Sequence, residues 1–312
     1  MTRLRRSRSD IAPGNLLKGL AWCGVCVLCW APMFPIAKRS LAVIDAFSLG
    51  TLRYVLGLAI FAGLLWAIEG RQAFRYGTRL WPAIGFGIVG ITGFNTLVWY
   101  GLNFTRPEHA AILMALQTPL TALVLWMVRG QRPAAFTLGC VAVAICGVIL
   151  VVTKGDPARA FEGGSLLGDV LVLLGAVCWV IYTLAGGRFT GWSPLRMTTL
   201  TCIPGGVGLL VANSVAVGVG FVELPSIHTI ASVWWQILYF AAGSVVLGVL
   251  GFNAGVKYLG ALNAMLMINL VPVGVFAIEA ALGRRYEAIE LAGAALVIGA
   301  LAANNFYLRR AA

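Results

Sequence analysis

The chain has 312 residues, of which 60% are hydrophobic and only 11% are charged. Soluble globular proteins carry roughly 25% charged residues, so this composition excludes a soluble protein and predicts one embedded mostly in lipid. The net charge of +12 does not indicate nucleic-acid binding, because the Lys and Arg residues stand singly or in pairs between apolar runs, as they do in membrane loops.

Ten apolar runs follow one another along the chain, and each is close to the roughly 20 residues that a helix needs to cross a bilayer. Arg3 and Arg8 precede the first run. Because that run is long and has no clear small-residue cleavage site, we interpret it as an uncleaved anchor and not as a signal peptide. The gaps are short and leave no soluble domain. We number the predicted spans 1 to 10 in chain order: residues 20–37, 46–68, 80–102, 109–129, 134–153, 165–187, 194–220, 232–256, 261–283 and 288–308.

The basic residues are distributed unevenly between the two sides that these spans define. Fifteen Lys and Arg residues lie on one side and seven on the other, and Arg53 lies inside span 2. Cytoplasmic loops carry an excess of Lys and Arg. We therefore predict that both termini are cytoplasmic, and that the Gly-rich polar segment of residues 154–164 is an extracytoplasmic linker.

The segment of residues 93–119 recurs at residues 251–272. In each copy a Gly-Phe-Asn tripeptide is followed by a Tyr near the end of one span. The next span carries a central Pro, which is Pro119 in the first copy and Pro272 in the second. A duplicated apolar unit with a break in the middle of a span is typical of transporters built from two halves.

Spans 1 and 6 also match each other, because Trp30 and Trp179 stand at the same offset of 149 residues as several of their neighbours. Each half would contain five spans, an odd number, so the second half must enter the membrane from the opposite side. The predicted fold is an all-α integral membrane protein with ten transmembrane helices in two inverted five-helix repeats, residues 1–153 and 165–312. Substrate sites in such proteins lie where the repeats meet.

The pattern Trp30…Phe34…Lys38 in span 1, the pair Arg53-Tyr54 in span 2 and the two Pro-containing repeats resemble the drug/metabolite transporter superfamily. Within it they are similar to the ten-helix EamA-type carriers, and among those to the exporters of amino acids, including aromatic ones. The resemblance covers most of the chain. It implies a central cavity lined by helices of both halves, alternating access, and no catalytic chemistry or cofactor.

The two mid-span prolines predict where that cavity lies. A proline cannot donate a backbone hydrogen bond, so Pro119 frees the carbonyl of Ala115 and Pro272 frees that of Ile268. Free carbonyls at membrane depth are tolerated only against protein or a water-filled cavity. They could bind an ammonium group of a substrate, or the kinks could only help the helices to pack. Both interpretations remain open.

Polar and aromatic side chains deep in the spans are the candidates for the cavity wall, since buried polar groups in a membrane are costly without partners. Amides and free carbonyls would hold the amino and carboxyl ends of a substrate, while aromatic rings would surround its side chain. Interhelical hydrogen bonding and core packing are alternative roles for each residue. The candidate substrate-binding residues are Trp30, Tyr100, Gln117, Trp179, Tyr182, Asn253, Tyr258 and Asn269, with Asn95 as a less certain addition.

Three cysteines in span 1 have a spacing that resembles a cluster-binding motif. Cys23, Cys26 and Cys29 are each separated by two residues, but no fourth ligand stands nearby. We therefore interpret them as small packing residues and expect neither a metal ion nor a cofactor.

No Asp, Glu or His lies in the middle of a predicted span. Proton-coupled exporters of cationic drugs usually need a buried carboxylate. Phosphorylated substrates need several basic groups in the cavity. The one basic residue that we consider there, Lys257, lies near a helix end, from which its side chain can reach the membrane interface.

The residues therefore favour a carrier in an inner membrane that exports amino acids or similar neutral or zwitterionic metabolites, driven by the substrate gradient. Its partners are a small solute and membrane lipid, without nucleic acid, and the oligomeric state stays open, with a monomer as one option. One alternative is a multidrug efflux carrier of the same fold, with or without proton coupling. A membrane-embedded enzyme or assembly protein is the other, but the sequence lacks a His/Asp/Glu cluster at one depth.

Overall fold

A computed structural model describes residues 13–130, 132–156, 165–259, 264 and 267–311, and every regular element in these ranges is a helix. Most of the predicted linker, residues 157–164, lies outside the described residues.

The helices of the first half follow the predicted spans closely, except that span 1 begins earlier and is interrupted at Ala31 and Pro32. A π-helical stretch, Ile88–Gly93, separates α4 from α5. The helices are α1 (Pro13–Trp30), α2 (Met33–Ser40), α3 (Ala46–Glu69), α4 (Leu80–Gly87), α5 (Phe94–Leu102), α6 (Pro107–Ala115), α7 (Gln117–Arg129) and α8 (Ala135–Thr153).

The second half repeats this pattern, including a π-helical stretch, Tyr239–Leu247, in span 8. Its helices are α9 (Ser165–Ala185), α10 (Pro194–Gly218), α11 (Ile227–Ser232), α12 (Trp234–Leu238), α13 (Gly248–Leu259), α14 (Leu270–Ala281) and α15 (Ala288–Ala311).

Within the described ranges, eight helical stretches are long and apolar enough to cross a membrane. The pair α6 and α7, bent by 48°, makes a ninth if it is one span, whereas α14 is shorter. The all-helical membrane fold is thereby confirmed. The count of ten spans, their inverted topology and the cytoplasmic termini remain predictions.

Side-chain caps explain where equivalent helices begin. The Asp45 carboxylate accepts hydrogen bonds of 2.9 Å from the amides of Phe47 and Ser48 and so caps α3. Ser193 caps α10 in the same way by accepting from the amide of Arg196 at 2.9 Å. Such caps satisfy amides that a helix leaves unpaired at its start. Each of these helices forms the second span of its half.

The two halves are interlocked, because the principal contacts of the helices are made across the halves. Span 1 packs on span 8 through α1 and α13, span 3 on span 6 through α5 and α9, and span 2 on span 7 through α3 and α10. Span 4 packs on span 9 through α6 and α14, and span 5 on span 10 through α8 and α15. This pairing is unchanged when each span is exchanged for its counterpart in the other half.

Glycines allow the closest of these contacts. A Cβ atom on Gly147 would lie 2.7 Å from the carbonyl oxygen of Gly293, and a Cβ atom on Gly293 would lie 2.7 Å from that of Gly147. Gly101 and Gly168 form an equivalent contact between α5 and α9. Membrane helices use small residues in this way to bring their backbones together.

Candidate functional site

The helix breaks that flank the centre of the bundle occur at matched positions of the two halves. Leu116, between α6 and α7, has φ −66° and ψ −3°. Asn269, directly before α14, has φ −61° and ψ −9° and lies 153 residues further along the chain, the same offset that relates the two prolines. The predicted interruption therefore lies three residues before Pro119 and three before Pro272, in agreement with the loss of the backbone donor.

A central cavity lies beside these two breaks. Its first lobe has about 700 Å³ of empty space, and an adjoining second lobe has about 480 Å³. Ala115 and Ile268, the residues whose carbonyls the prolines were predicted to free, contribute to both lobes. Pro272 lines the first lobe.

Trp30 and Trp179 line both lobes from opposite halves of the protein. Their environments are also equivalent. The ring of Trp30 lies 6.0 Å from that of Phe252, and the ring of Trp179 lies 5.1 Å from that of Phe94. The indole nitrogen of Trp30 donates a hydrogen bond of 2.9 Å to the carbonyl of Ser244, which fixes its orientation.

Two predicted amide side chains complete the wall. Gln117 begins α7 and lines both lobes, while Asn269 occupies the second break and lines the second lobe. The side-chain nitrogen of Asn269 is buried and has no hydrogen-bond partner among the described residues. A buried amide in this state is available to a bound solute.

The structure brings four of the eight candidates together at the cavity and places the others elsewhere. Tyr182 packs behind Trp179, with ring centres 5.4 Å apart, and shares a hydrogen bond with Thr201. Tyr100 lies between Phe47 and Phe221.

Asn253 and Tyr258 lie in α13 and do not line either lobe. Tyr258 packs against Gly19 of α1 instead. The side chain of Asn95 is buried, accepts a hydrogen bond from Arg53 and donates one of 2.6 Å to the carbonyl of Ile91. Repeat pairing thus located the right helices but not the direction of each side chain.

The basic residue at the cavity is not the one that the sequence analysis considered. Lys257 is exposed, with its ammonium 5.8 Å from the Tyr258 ring, and it does not line the cavity. Arg53 does line the first lobe. An ionisable residue in the middle of an apolar span is itself a signal of function, and this signal was available in the sequence.

Charged residues cluster at one end of the bundle. We call this end, which carries residues 38–45, 103–108, 154–156 and 279–287, the outer end, following the predicted orientation, and the opposite end the inner end. The Glu108 carboxylate, at the start of α6, lies 2.6 Å from the Arg284 guanidinium without a well-aligned hydrogen bond.

The same Arg284 lies 3.2 Å from Glu290 of α15, which also pairs with Lys154 at 3.2 Å. Both Glu108 and Glu290 are completely buried. Burial raises the pKa of the neighbouring Tyr286 hydroxyl, and the charge of Glu108 raises it further, so the phenol stays protonated. The ion pairs join elements of both halves.

The cysteines of span 1 pack between two helices. Cys23 and Cys26 are buried where α1 meets α13, beside Gly251 and Gly255. In the described part of the chain, no three His, Cys, Asp or Glu side chains are close enough together to hold a metal ion.

Comparison with known proteins decides the family. The sequence model of the EamA-like transporter family matches residues 17–153 and 166–306, one stretch in each half. The chain belongs to the EamA-like transporter family. The predicted resemblance is confirmed at this level, and the protein is a multi-pass membrane transporter, not an enzyme.

Relatives of this EamA-like transporter occur in Bacillus subtilis (strain 168). The chain is 31% identical over 301 residues to the "Uncharacterized transporter YrdR", covering 95% of this chain and 94% of the relative. It is 32% identical over 276 residues to the "Uncharacterized transporter YyaM", covering 87% and 88%. A crystal structure with 19% identity resembles the EamA-like transporter with a TM-score of 0.67 over 94% of this chain and 98% of the other, which supports the fold alone.

Proposed function

We propose that this EamA-like transporter exports amino acids, or similar small neutral and zwitterionic metabolites, through the central cavity by alternating access. The observation that carries the proposal is the pair Trp30 and Trp179, which face one cavity from equivalent positions beside two matched helix breaks. We further propose an inner-membrane location, cytoplasmic termini and two inverted halves, residues 1–153 and 165–312.

The wall chemistry supports a solute with an apolar body and a polar end. Tryptophan rings and aliphatic side chains make up most of the first lobe, while Gln117 and Asn269 add amides near the breaks. An apolar pocket discriminates weakly between side chains, because one methylene is worth only about 1–3 kcal/mol. The transporter should therefore accept several amino acids and prefer large apolar or aromatic ones.

The ion pairs at the outer end support an inward-facing arrangement. The second lobe is lined by Thr121, in the inner half of span 4, and by Thr183, near the inner end of α9. At the outer end, the Glu108–Arg284 pair holds the halves together. Because the spans pair symmetrically across the halves, exchanging the conformations of the two halves would close the inner end and open the outer end.

Flux measured with purified protein in liposomes tests this proposal. Liposomes loaded with unlabelled phenylalanine should take up labelled phenylalanine by exchange, and leucine and tryptophan should compete. Empty liposomes and a lipophilic cation as competitor provide the controls. Competition by the cation alone, without any effect of amino acids, would favour the multidrug alternative and contradict the proposal.

The expected absence of proton coupling rests on the cavity wall. Among the residues described there, none is Asp, Glu or His. The buried acids Glu108, Glu290 and Asp169 lie at the outer end, outside the cavity wall; the first two pair with basic side chains, and Asp169 lies 3.7 Å from His109. We therefore propose transport down the substrate gradient.

A further inference from the structure

Arg53 is a buried cation in the middle of α3, and its side chain is only 2% exposed. It forms part of the wall of the first lobe, which Tyr54 of the same helix and Gln117 and Trp179 of other helices also line. Its counterpart position in the second half is Thr201, because the capping residues Asp45 and Ser193 relate these two helices by an offset of 148 residues, so the cation has no symmetric equivalent.

The surrounding residues fix the guanidinium but do not neutralise it. One terminal nitrogen donates to the side-chain oxygen of Asn95, and the guanidinium carbon lies 3.9 Å from the ring centre of Trp99. The other two nitrogens, Nε and Nη1, are buried without a hydrogen-bond partner. Among the described residues, no carboxylate forms an ion pair with Arg53.

The guanidinium of Arg53 therefore lacks a counterion within the residues that the structure describes. A buried charge without a counterion is strongly unfavourable, and the attraction of an aromatic ring compensates for only part of this. Guanidinium groups form charge-assisted hydrogen bonds with carboxylates, which are stronger than hydrogen bonds between neutral groups. Nε and Nη1 of Arg53 donate from different edges of the guanidinium plane, so a carboxylate would accept one such hydrogen bond from one of them, whereas Asn95 holds the third nitrogen.

We propose that Arg53 binds the carboxylate of the transported solute, so that the cavity selects carboxylic acids with an apolar body. This assignment rests on the proposed function, since it takes the cavity as the solute site. A bound carboxylate supplies the missing negative charge and accepts a charge-assisted hydrogen bond from one of these two nitrogens. Asn95 positions the guanidinium through its hydrogen bond to the third nitrogen.

The two lobes then orient an amino acid. Arg53 lines only the first lobe and Asn269 only the second. With the carboxylate at Arg53, the ammonium group is directed toward the breaks, where Ala115 and Ile268 line the wall and Gln117 provides an amide oxygen. The aromatic rings of Trp30 and Trp179 surround the side chain. A solute that has an amine but no carboxylate would place a second positive charge near Arg53.

Binding by the wild-type protein in detergent tests the assignment without any substitution. Phenylalanine, 3-phenylpropionate and phenylalaninamide share a benzyl group, but only the first two have a carboxylate. We expect both carboxylates to bind, and the amide to bind at least about tenfold more weakly than phenylalanine. Equal binding of phenylalanine and its amide would overturn the assignment, and so would the absence of binding by both carboxylates.

Substitutions at Arg53 test whether this residue causes the preference for the acid over the amide. Arg53→Gln should weaken phenylalanine binding by about 10- to 100-fold and abolish the preference for acid over amide, whereas Arg53→Lys should retain part of that preference. Arg196→Gln is the matched control, because Arg196 also lies near a tryptophan ring, 4.9 Å from Trp192, and donates to a carbonyl, but lies outside the cavity. An unchanged acid preference in folded Arg53→Gln protein would contradict the proposal.

Flux measurements separate this assignment from the proposed function. If carboxylates bind in an Arg53-dependent way but no amino acid crosses the liposome membrane, export of amino acids is wrong and the Arg53 assignment holds. If amino acids are transported but acid and amide bind equally, the proposed function stands and the Arg53 assignment is overturned.

Discussion

The Glu108–Arg284 ion pair is predicted to hold the outer end closed, and Glu108→Gln should open it. The two charges are 2.6 Å apart, and the glutamate is completely buried. Removing one partner of a fully buried ion pair costs about 3–5 kcal/mol. Arg284 is 23% exposed and keeps Glu290 at 3.2 Å, so the loss here should be smaller.

We expect the closed arrangement to lose about 1.5–3 kcal/mol, as for a single hydrogen bond to a charged group. The ratio of closed to open protein would then fall by about 10- to 150-fold. Accessibility of a cavity residue from outside the cell measures this ratio. A Met114→Cys variant without the native cysteines places a thiol on the wall of both lobes.

A membrane-impermeant maleimide added to intact cells should label this thiol much faster when Glu108→Gln is also present. Glu279→Gln is the matched control, because it removes the Arg39–Glu279 pair, in which Arg39 is 52% exposed. Exposed pairs contribute only about 0–1 kcal/mol. If the folded Glu108→Gln protein is labelled no faster than the Glu279→Gln control, the pair is not an outer gate.

Three further predictions concern selectivity, orientation and coupling. Trp179→Ala should reduce the preference for phenylalanine over alanine by roughly tenfold in competition assays, since it removes a ring from the cavity wall; an unchanged ranking would assign this ring to packing. In cells, Leu224→Cys should react with an impermeant maleimide from outside and Gln72→Cys should not; the reverse pattern would invert the predicted orientation. A pH gradient alone, with equal phenylalanine on both sides of a liposome membrane, should produce no net accumulation, and accumulation would establish proton coupling.

Composition, span length and the internal repeat were sufficient to predict a membrane-embedded helical transporter. The matched prolines also predicted both helix breaks, because loss of a backbone donor acts locally and does not depend on the rest of the fold. The same symmetry placed Trp30 and Trp179 in one cavity. These features follow from periodicity and covalent geometry, which can be read from a sequence.

The direction of individual side chains could not be read in this way. Tyr182 follows Trp179 by one turn, yet its ring lies behind the cavity wall, because α9 packs there against the π-helical stretch Ile88–Gly93, where Gly90 leaves room for the ring. Asn253 matches Asn95 in the repeat but does not share its role, since Asn95 has Arg53 as a partner and the second half has Thr201 at the position of Arg53. A comparison of the two repeats cannot identify a functional residue, such as Arg53, that is present in only one of them.

The central claim, that an amino acid crosses the membrane through this cavity, is tested most directly by blocking the cavity reversibly. Phenylalanine exchange is measured in liposomes that contain the Met114→Cys variant, before and after modification with a methanethiosulfonate and again after reduction. Val43→Cys, on an exposed residue at the outer end, is the control. We predict that modification of Met114→Cys stops exchange, that reduction restores it, and that the control is unaffected. Undiminished exchange by fully modified Met114→Cys protein would contradict the claim.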